Sequence, residues 1–207
     1  MKRLKKIFNK KKVIVTGHTG FKGSWLTAWL KLLGAQVMGI SLNPPTFPSH
    51  FVASKIKSGI KDVRLDIRNK KKLQKKILQF KPHFIFHLAA QPLVRHSYLE
   101  PIETYSTNVM GTVHLLDALR SVSCARVAII VSTDKVYRNK EWHFPYREDD
   151  TLGGHDPYST SKAASELVIS SYRDSFLGPQ GVAVASARAG NVIGGGDWSA
   201  DRLIPDA

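Results

Sequence analysis

Cysteine is nearly absent. Cys124 is the only one in 207 residues, so the chain has neither a disulfide framework nor a cysteine-ligated metal site. Long apolar runs are missing too. The first, Val13-Ile14-Val15, follows a basic segment and stops at Gly17, too short for a signal-peptide core or a membrane span. A cytoplasmic protein with no membrane partner is the expectation. His18, His87 and His96 are too scattered to form a metal set and read as packing or loop residues. Acids are scarce, 16 against 31 Lys and Arg, which leaves a net charge of +15. The excess gathers in Lys2, Arg3, Lys5, Lys6, Lys10, Lys11 and Lys12, and again in Lys70, Lys71, Lys72, Lys75 and Lys76. Such charge suits nucleic acid or an acidic membrane. No aromatics interleave with these lysines as a stacking platform requires. The expectation is therefore a frayed terminus and a solvated helix face, with no specific nucleic acid bound. Repeats and low-complexity linkers are also absent.

What is present is a strand-helix alternation over the whole length, in a chain whose hydrophobic fraction of 43% can build a full core. Strands are expected at 13–16, 36–42, 63–66, 83–88, 127–132 and 182–187. Helices are expected at 21–33, 69–80, 104–120 and 157–176. Continuous apolar strands between amphipathic helices predict a parallel sheet covered on both faces, a doubly wound α/β domain of Rossmann type. The prolines of Asn43-Pro44-Pro45-Thr46-Phe47-Pro48 exclude helix there. The chain divides into a basic arm (1–11), a dinucleotide-binding domain (12–190), and the start of a substrate-binding region (191–207) that stops early.

The first strand runs into Gly17-His18-Thr19-Gly20-Phe21-Lys22-Gly23, which opens the first long helix. Glycines at this spacing allow a tight turn and let the backbone approach a pyrophosphate at a helix N-terminus, where amides and dipole favour anions. The acid that holds an adenosine ribose at the end of strand two is missing, and Ser41 and Asn43 stand there instead. Arg and Lys are absent too, which leans toward NAD over NADP. Asp66, with Ile67, stands at the end of strand three, suited either to meet the adenine edge or to cap a helix. Strand five ends in Ser132-Thr133-Asp134-Lys135, polar groups aimed at the ligand crevice. Asp156-Pro157 reads as a helix start, with Tyr158 and Lys162 one turn apart on one face. An ammonium beside a phenol favours the phenolate and makes Tyr158 a usable base near neutral pH.

With these residues the chain resembles the extended short-chain dehydrogenase/reductase superfamily, and within it the nucleotide-sugar 4,6-dehydratases. The matching runs are Thr16 to Trp25, His87 to Arg95, Asn108 to Thr112, Gly153 to Tyr158 and Ser186 to Trp198. Gly153-Gly154-His155-Asp156-Pro157-Tyr158, and Lys135 after Thr133-Asp134, point to the branch acting on CDP-glucose. The resemblance implies NAD as cofactor, held by Gly17, Gly20, Phe21, Gly23, Asp66, Ile67, Leu88, Ala89, Ala90, Tyr158 and Lys162. It implies Thr133, Asp134, Lys135, Tyr158 and Lys162 as the catalytic set, and Gln91, Arg188 and Asn191 as substrate contacts. Tyr158 takes the 4-hydroxyl proton while Lys162 holds the nicotinamide ribose. Thr133 orients that hydroxyl, and Asp134 protonates the departing 6-hydroxyl. Lys135 serves as the C5 base, which requires burial or a cationic neighbour to neutralise it, or else stabilises the enolate. Asn108 supports the active-site loop. For Arg188 a surface ion pair stays open beside a diphosphate contact. The implied activity is a lyase of deoxysugar biosynthesis, a homo-oligomer at full length. A nucleotide-sugar 4-epimerase and a shortened NAD-binding chain without turnover are the alternatives.

Overall fold

A computed structural model describes residues 1–201. Chain order is α1 (Lys2–Phe8), β1 (Lys12–Thr16), α2 (Phe21–Leu32), β2 (Gln36–Ser41), α3 (His50–Ala53), β3 (Lys61–Arg64), α4 (Lys70–Phe80), β4 (Phe84–His87), α5 (Val94–Leu99) and α6 (Pro101–Tyr105). A wide π-type turn, Ser106–Met110, joins α6 to α7 (Gly111–Leu119). Then come β5 (Val127–Val131), a 3-10 turn at Asp134–Val136, α8 (Pro157–Tyr172), a second π-type turn at Arg173–Leu177, and β6 (Ala183–Ala187).

The strands form one parallel sheet in the order β3-β2-β1-β4-β5-β6. This is the doubly wound order, with its switch point between β1 and β4. Register runs Val13 beside Val37 on one side and Phe84 on the other. Alternation of side chains sends Ile14 to one face and Val13 and Val15 to the other, and all three are fully buried. On the first face Ile14, Ile40, Ile85, Ala128 and Ile130 pack under Leu73 and Ile77 of α4 and Leu115, Leu116 and Leu119 of α7. On the second, Val13, Val15 and Val37 pack under Leu30 of α2, with Phe8, Phe84 and Phe86 partly buried beside them. β3 and β6 are the edges, and the exposed residues of β6 are the small Ala183, Ala185 and Ala187.

Local chemistry explains the helix ends. Asn69 caps α4 by accepting from Lys72 N at 3.1 Å, and Lys81 ends it in the left-handed conformation. Asp156 and Ser159 form a reciprocal capping box at α8, with Pro157 in the first turn. One expectation needs correcting and one refining. The basic arm is not frayed: residues 2–8 are helical and Phe8 meets Phe84 at 5.1 Å between ring centroids. The helix expected over 104–120 is continuous from Pro101 to Leu119 but begins earlier and carries a π-type stretch at Ser106–Met110. Among the described residues no helix is long and apolar enough to cross a membrane.

Leu116 is fully buried at the centre of the first face. Leu116→Ala is expected to lower unfolding free energy by about 2–5 kcal/mol, read from urea denaturation with an unchanged slope.

Candidate active site

The carboxyl ends of β1 and β4 flank the switch point, and the chain leaving β1 there is forced to be glycine. Gly17 has φ +74°, and a β-carbon on it would lie 2.7 Å from Ala89 N. One on Gly23 would lie 2.0 Å from Gly17 O. Gly20, the N-cap of α2, has only Gly17 O within 4 Å of that position, at 3.5 Å, so its backbone faces open space. This is a bare cradle at a helix N-terminus, the shape a diphosphate needs. The Thr16 hydroxyl accepts from Leu88 N and Ala89 N, both at 3.2 Å, and joins the two strand ends. Thr19 ties the loop to β2 through Ser41 Oγ at 2.8 Å and Leu42 O at 3.1 Å. Phe21 lies beneath Gly194, where a β-carbon would be 3.2 Å from its ring. Trp25 donates to Gly195 O at 2.9 Å and stacks on His50, so residues 194–196 pass over the start of α2.

Tyr158 and Lys162 share a face of α8, one turn apart, as their spacing predicts. Tyr158 is 9% exposed, and its backbone N–H donates to Ser97 Oγ at 3.2 Å. The Lys162 ammonium donates to Val131 O, the last carbonyl of β5, at 3.2 Å. Burial first, then the charge of Lys22, pulls its pKa down to about 8, with Glu166 acting the other way. Thr133 donates to Asp134 Oδ1 at 3.0 Å, and Asp134 N donates to Ala189 O at 3.1 Å. Lys135 Nζ lies 3.5 Å from Asp134 Oδ1, with 44% of its side chain exposed.

Some expected residues are turned to other work. Gln91 Nε2 donates to Leu93 O and Thr104 Oγ1, and its Oε1 accepts from Leu93 N. Asn108 braces the same loop, accepting from Gln91 N at 2.8 Å and donating to Gln91 O and Ser161 Oγ. Gln91 thus holds the loop instead of projecting toward a substrate. The Arg188 guanidinium pairs with buried Glu166 through Nε and Nη2, at 3.2 and 3.1 Å. Its Nη1 reaches Tyr137 Oη and Glu148 O, both at 2.9 Å. The ion-pair alternative therefore describes Arg188, though the pair is buried rather than on the surface. Around it lies a cleft of about 580 Å³ that also touches Asp134 and Gly190.

Asp66 accepts from Arg68 N, Nε and Nη2, closing a turn before α4 whose cap is Asn69. Burial pushes its carboxyl up, but the Arg68 bonds outweigh that and hold it below the ordinary range. Ile67 is buried against Gly111, so only its backbone can meet a ligand. Asn191 is exposed beyond β6. Of the region 191–207, residues 202–207 lie outside the described residues.

Sequence reasoning passed over Glu166 and the bracing role of Thr16, and read His18 and His87 as packing or loop residues. Glu166 stands four residues after Lys162 on the same face, a spacing that could have flagged it. His18 is fully buried, its Nε2 2.8 Å from Asp62 Oδ1, and burial lowers its pKa against the pull of that bond. His87 is also buried, between Thr16 Oγ1 at 2.7 Å and Thr112 Oγ1 at 3.2 Å. Among the described residues no cluster of three or more His, Cys, Asp or Glu could hold a metal.

Comparisons with known proteins identify the family and the fold. Residues 14–192 match the family described as GDP-mannose 4,6 dehydratase. The chain is 53% identical to CDP-glucose 4,6-dehydratase of Salmonella typhimurium, over 98% of its own length and 58% of the relative's. It superposes on UDP-glucose 4-epimerase of Thermus thermophilus, solved with NAD, with TM-score 0.80 and 28% identity, over 92% of this chain and 58% of that one. An epimerase of Methanothermobacter thermautotrophicus, 23% identical, shares the fold at TM-score 0.83, over 99% of this chain and 59% of that one. The chain thus spans little more than half the length of these relatives.

Burial, followed by the charge of Lys162, lowers the His87 pKa from 6.5 to about 3. Between those values the unfolded chain binds the extra proton, so stability falls as pH drops through that window, by at most about 1.4 kcal/mol per unit. His87→Gln removes this contribution. Its stability in urea is expected to fall less steeply than wild type between pH 6.5 and 4.5; equal slopes would contradict a neutral buried His87.

Proposed function

The chain belongs to the GDP-mannose 4,6 dehydratase family, and on that premise we propose that it carries the NAD-binding and catalytic half of a CDP-glucose 4,6-dehydratase. The substrate is CDP-glucose, and the products are CDP-4-dehydro-6-deoxyglucose and water. The observation that supports this reading is a bare glycine cradle at the switch point, with Thr133-Asp134-Lys135 following the neighbouring β5 and Lys162 bonded to the last carbonyl of that strand. The 53% identity to a CDP-glucose 4,6-dehydratase supports the choice of substrate.

The glycine cradle fits a dinucleotide, since Gly17 and Gly23 admit no side chain and Gly20 presents bare backbone. Gly17, Gly20, Phe21 and Gly23 would hold the diphosphate, with Leu88, Ala89 and Ala90 along its flank. Backbone at Asp66 and Ile67 would edge the adenine. NAD, when bound, supplies a hydride acceptor at C4 and a hydride donor at C6, so no external reductant is consumed.

Tyr158 removes the proton from the 4-hydroxyl, and the Lys162 ammonium stabilises the phenolate and engages the ribose. Thr133 orients the hydroxyl. The resulting 4-ketone acidifies C5, whose proton passes to solvent water as the enolate forms. Asp134, once it has taken a proton from solvent, gives it to the departing 6-hydroxyl, which leaves as water. Lys135, half exposed and paired with Asp134, stabilises the enolate rather than acting as the C5 base. Gln91 and Arg188 act as braces, and Asn191 remains a substrate contact.

Calorimetry with NAD and a turnover assay on CDP-glucose test the proposal together. Loss of water with a 4-keto product is expected. A C4 epimer without loss of water would overturn it, and NAD binding without turnover would make this chain a binding unit alone. In Lys135→Ala, solvent exchange at C5 is expected to persist while elimination slows by about 10²-fold or more. Abolished exchange would restore the base role.

A further inference from the structure

The first acidic residue in the chain is Asp62, and residues 1–61 hold 12 Lys and Arg with no Asp or Glu. Folding gathers much of this charge at one end. All strands start on the side opposite the crevice, and that rim carries Lys12 opening β1, Lys61 opening β3 and Arg126 just before β5. Backbone bonds fix the rim. Gln36 N donates to Lys11 O at 2.8 Å, His83 N to Lys12 O at 2.9 Å, and Arg126 N to His83 O at 2.9 Å. The ammonium groups of Lys12 and Lys61 lie 5.8 and 5.6 Å from the centroid of the same Phe80 ring, and Lys81 follows that ring directly. His83 sits among them, its pKa lowered by burial first and then by Lys11, Lys12 and Arg126.

Among the described residues, none of Lys10, Lys11, Lys12, Lys61, Lys81 and Arg126 is in an ion pair. Like charges gathered on the scale of a Debye length, about 8 Å, repel unless an outside anion neutralises them. α1 extends the same surface. Phe8 holds it to Phe84 and Phe86, and none of its residues is buried. Lys2, Arg3, Lys5 and Lys6 are exposed, and so is Ile7, at 40%.

We propose that the amino end of the sheet is a docking surface for an anionic lipid bilayer, with lysines meeting headgroup phosphates and α1 lying in the interface. Basic residues mixed with exposed apolar ones, here Met1 and Ile7, suit a helix lying at a lipid surface. A single-stranded nucleic acid would want exposed aromatics to stack on, whereas Phe80 is buried and Phe8 packs inward. Docked this way, the chain turns its crevice, at the far end of the strands, toward water. The inference does not depend on the catalytic reading.

Co-sedimentation with mixed phosphatidylglycerol–phosphatidylcholine vesicles, and with phosphatidylcholine alone, tests it. Binding is expected on the anionic vesicles at about 0.1 M salt, with release at about 0.5 M and none on neutral ones. Lys10→Glu/Lys11→Glu/Lys61→Glu should weaken binding by about tenfold or more. Lys5→Glu/Lys6→Glu gives the same readout from α1 without touching the sheet. As a charge-matched control, Lys71→Glu/Lys72→Glu/Lys75→Glu on α4 should weaken it much less. Equal loss in the control would assign the effect to net charge and overturn the surface. No retention at low salt, or duplex DNA displacing the vesicles at equal salt, would overturn it as well.

Discussion

A β-carbon on Gly23 would sit 2.0 Å from the carbonyl oxygen of Gly17, and one on Gly17 would enter the backbone at Ala89. Three pieces of backbone, from β1, α2 and the exit of β4, therefore converge where no side chain can stand. The Thr16 hydroxyl closes the junction by accepting from Leu88 N and Ala89 N. His87 then fills the space behind it as a neutral ring between Thr16 and Thr112, linking the junction to α7. The open approach to Gly20, the seat of α2 and the direction of the chain after β4 all follow from this contact.

The parts of the molecule fixed by local pattern were legible in the sequence. Buried strands read as apolar runs, helix starts read as caps, and the Tyr158–Lys162 face followed from helical spacing. The strand order β3-β2-β1-β4-β5-β6 was not among them, since right-handed crossovers permit more than one order. What stayed hidden depends on who meets whom across the chain. Lys135 has the composition of a base, yet its neighbour at 3.5 Å is a carboxylate. Arg188 has the chemistry of a diphosphate ligand, yet four of its hydrogen bonds go to Glu166, Tyr137 and Glu148. Gln91 has free polar atoms on paper and none to spare in the loop it braces. The lysine runs failed differently. Each was visible, but the joining of Lys12, Lys61 and Arg126 on one rim is a property of sheet topology.

The site has two mechanical halves. The glycine cradle is built from residues 16 to 90 and held by β1, β2 and β4. The half that carries Thr133, Asp134, Tyr158 and Lys162 hangs on β5, α8 and β6, where the Glu166–Arg188 pair fastens α8 to the end of the last strand. Lys162 bridges the halves, since its ammonium reads the end of β5 and its charge reaches His87 behind the cradle.

The bond from Asp134 N to Ala189 O, together with the Arg188 pair, also sets an order of assembly. During synthesis the cradle has all its own residues once the chain has grown past Ala90. The segment bearing Asp134 and Lys135 must wait for a partner more than fifty residues downstream. A nascent chain therefore has the residues of the glycine cradle well before it has those that anchor the loop after β5.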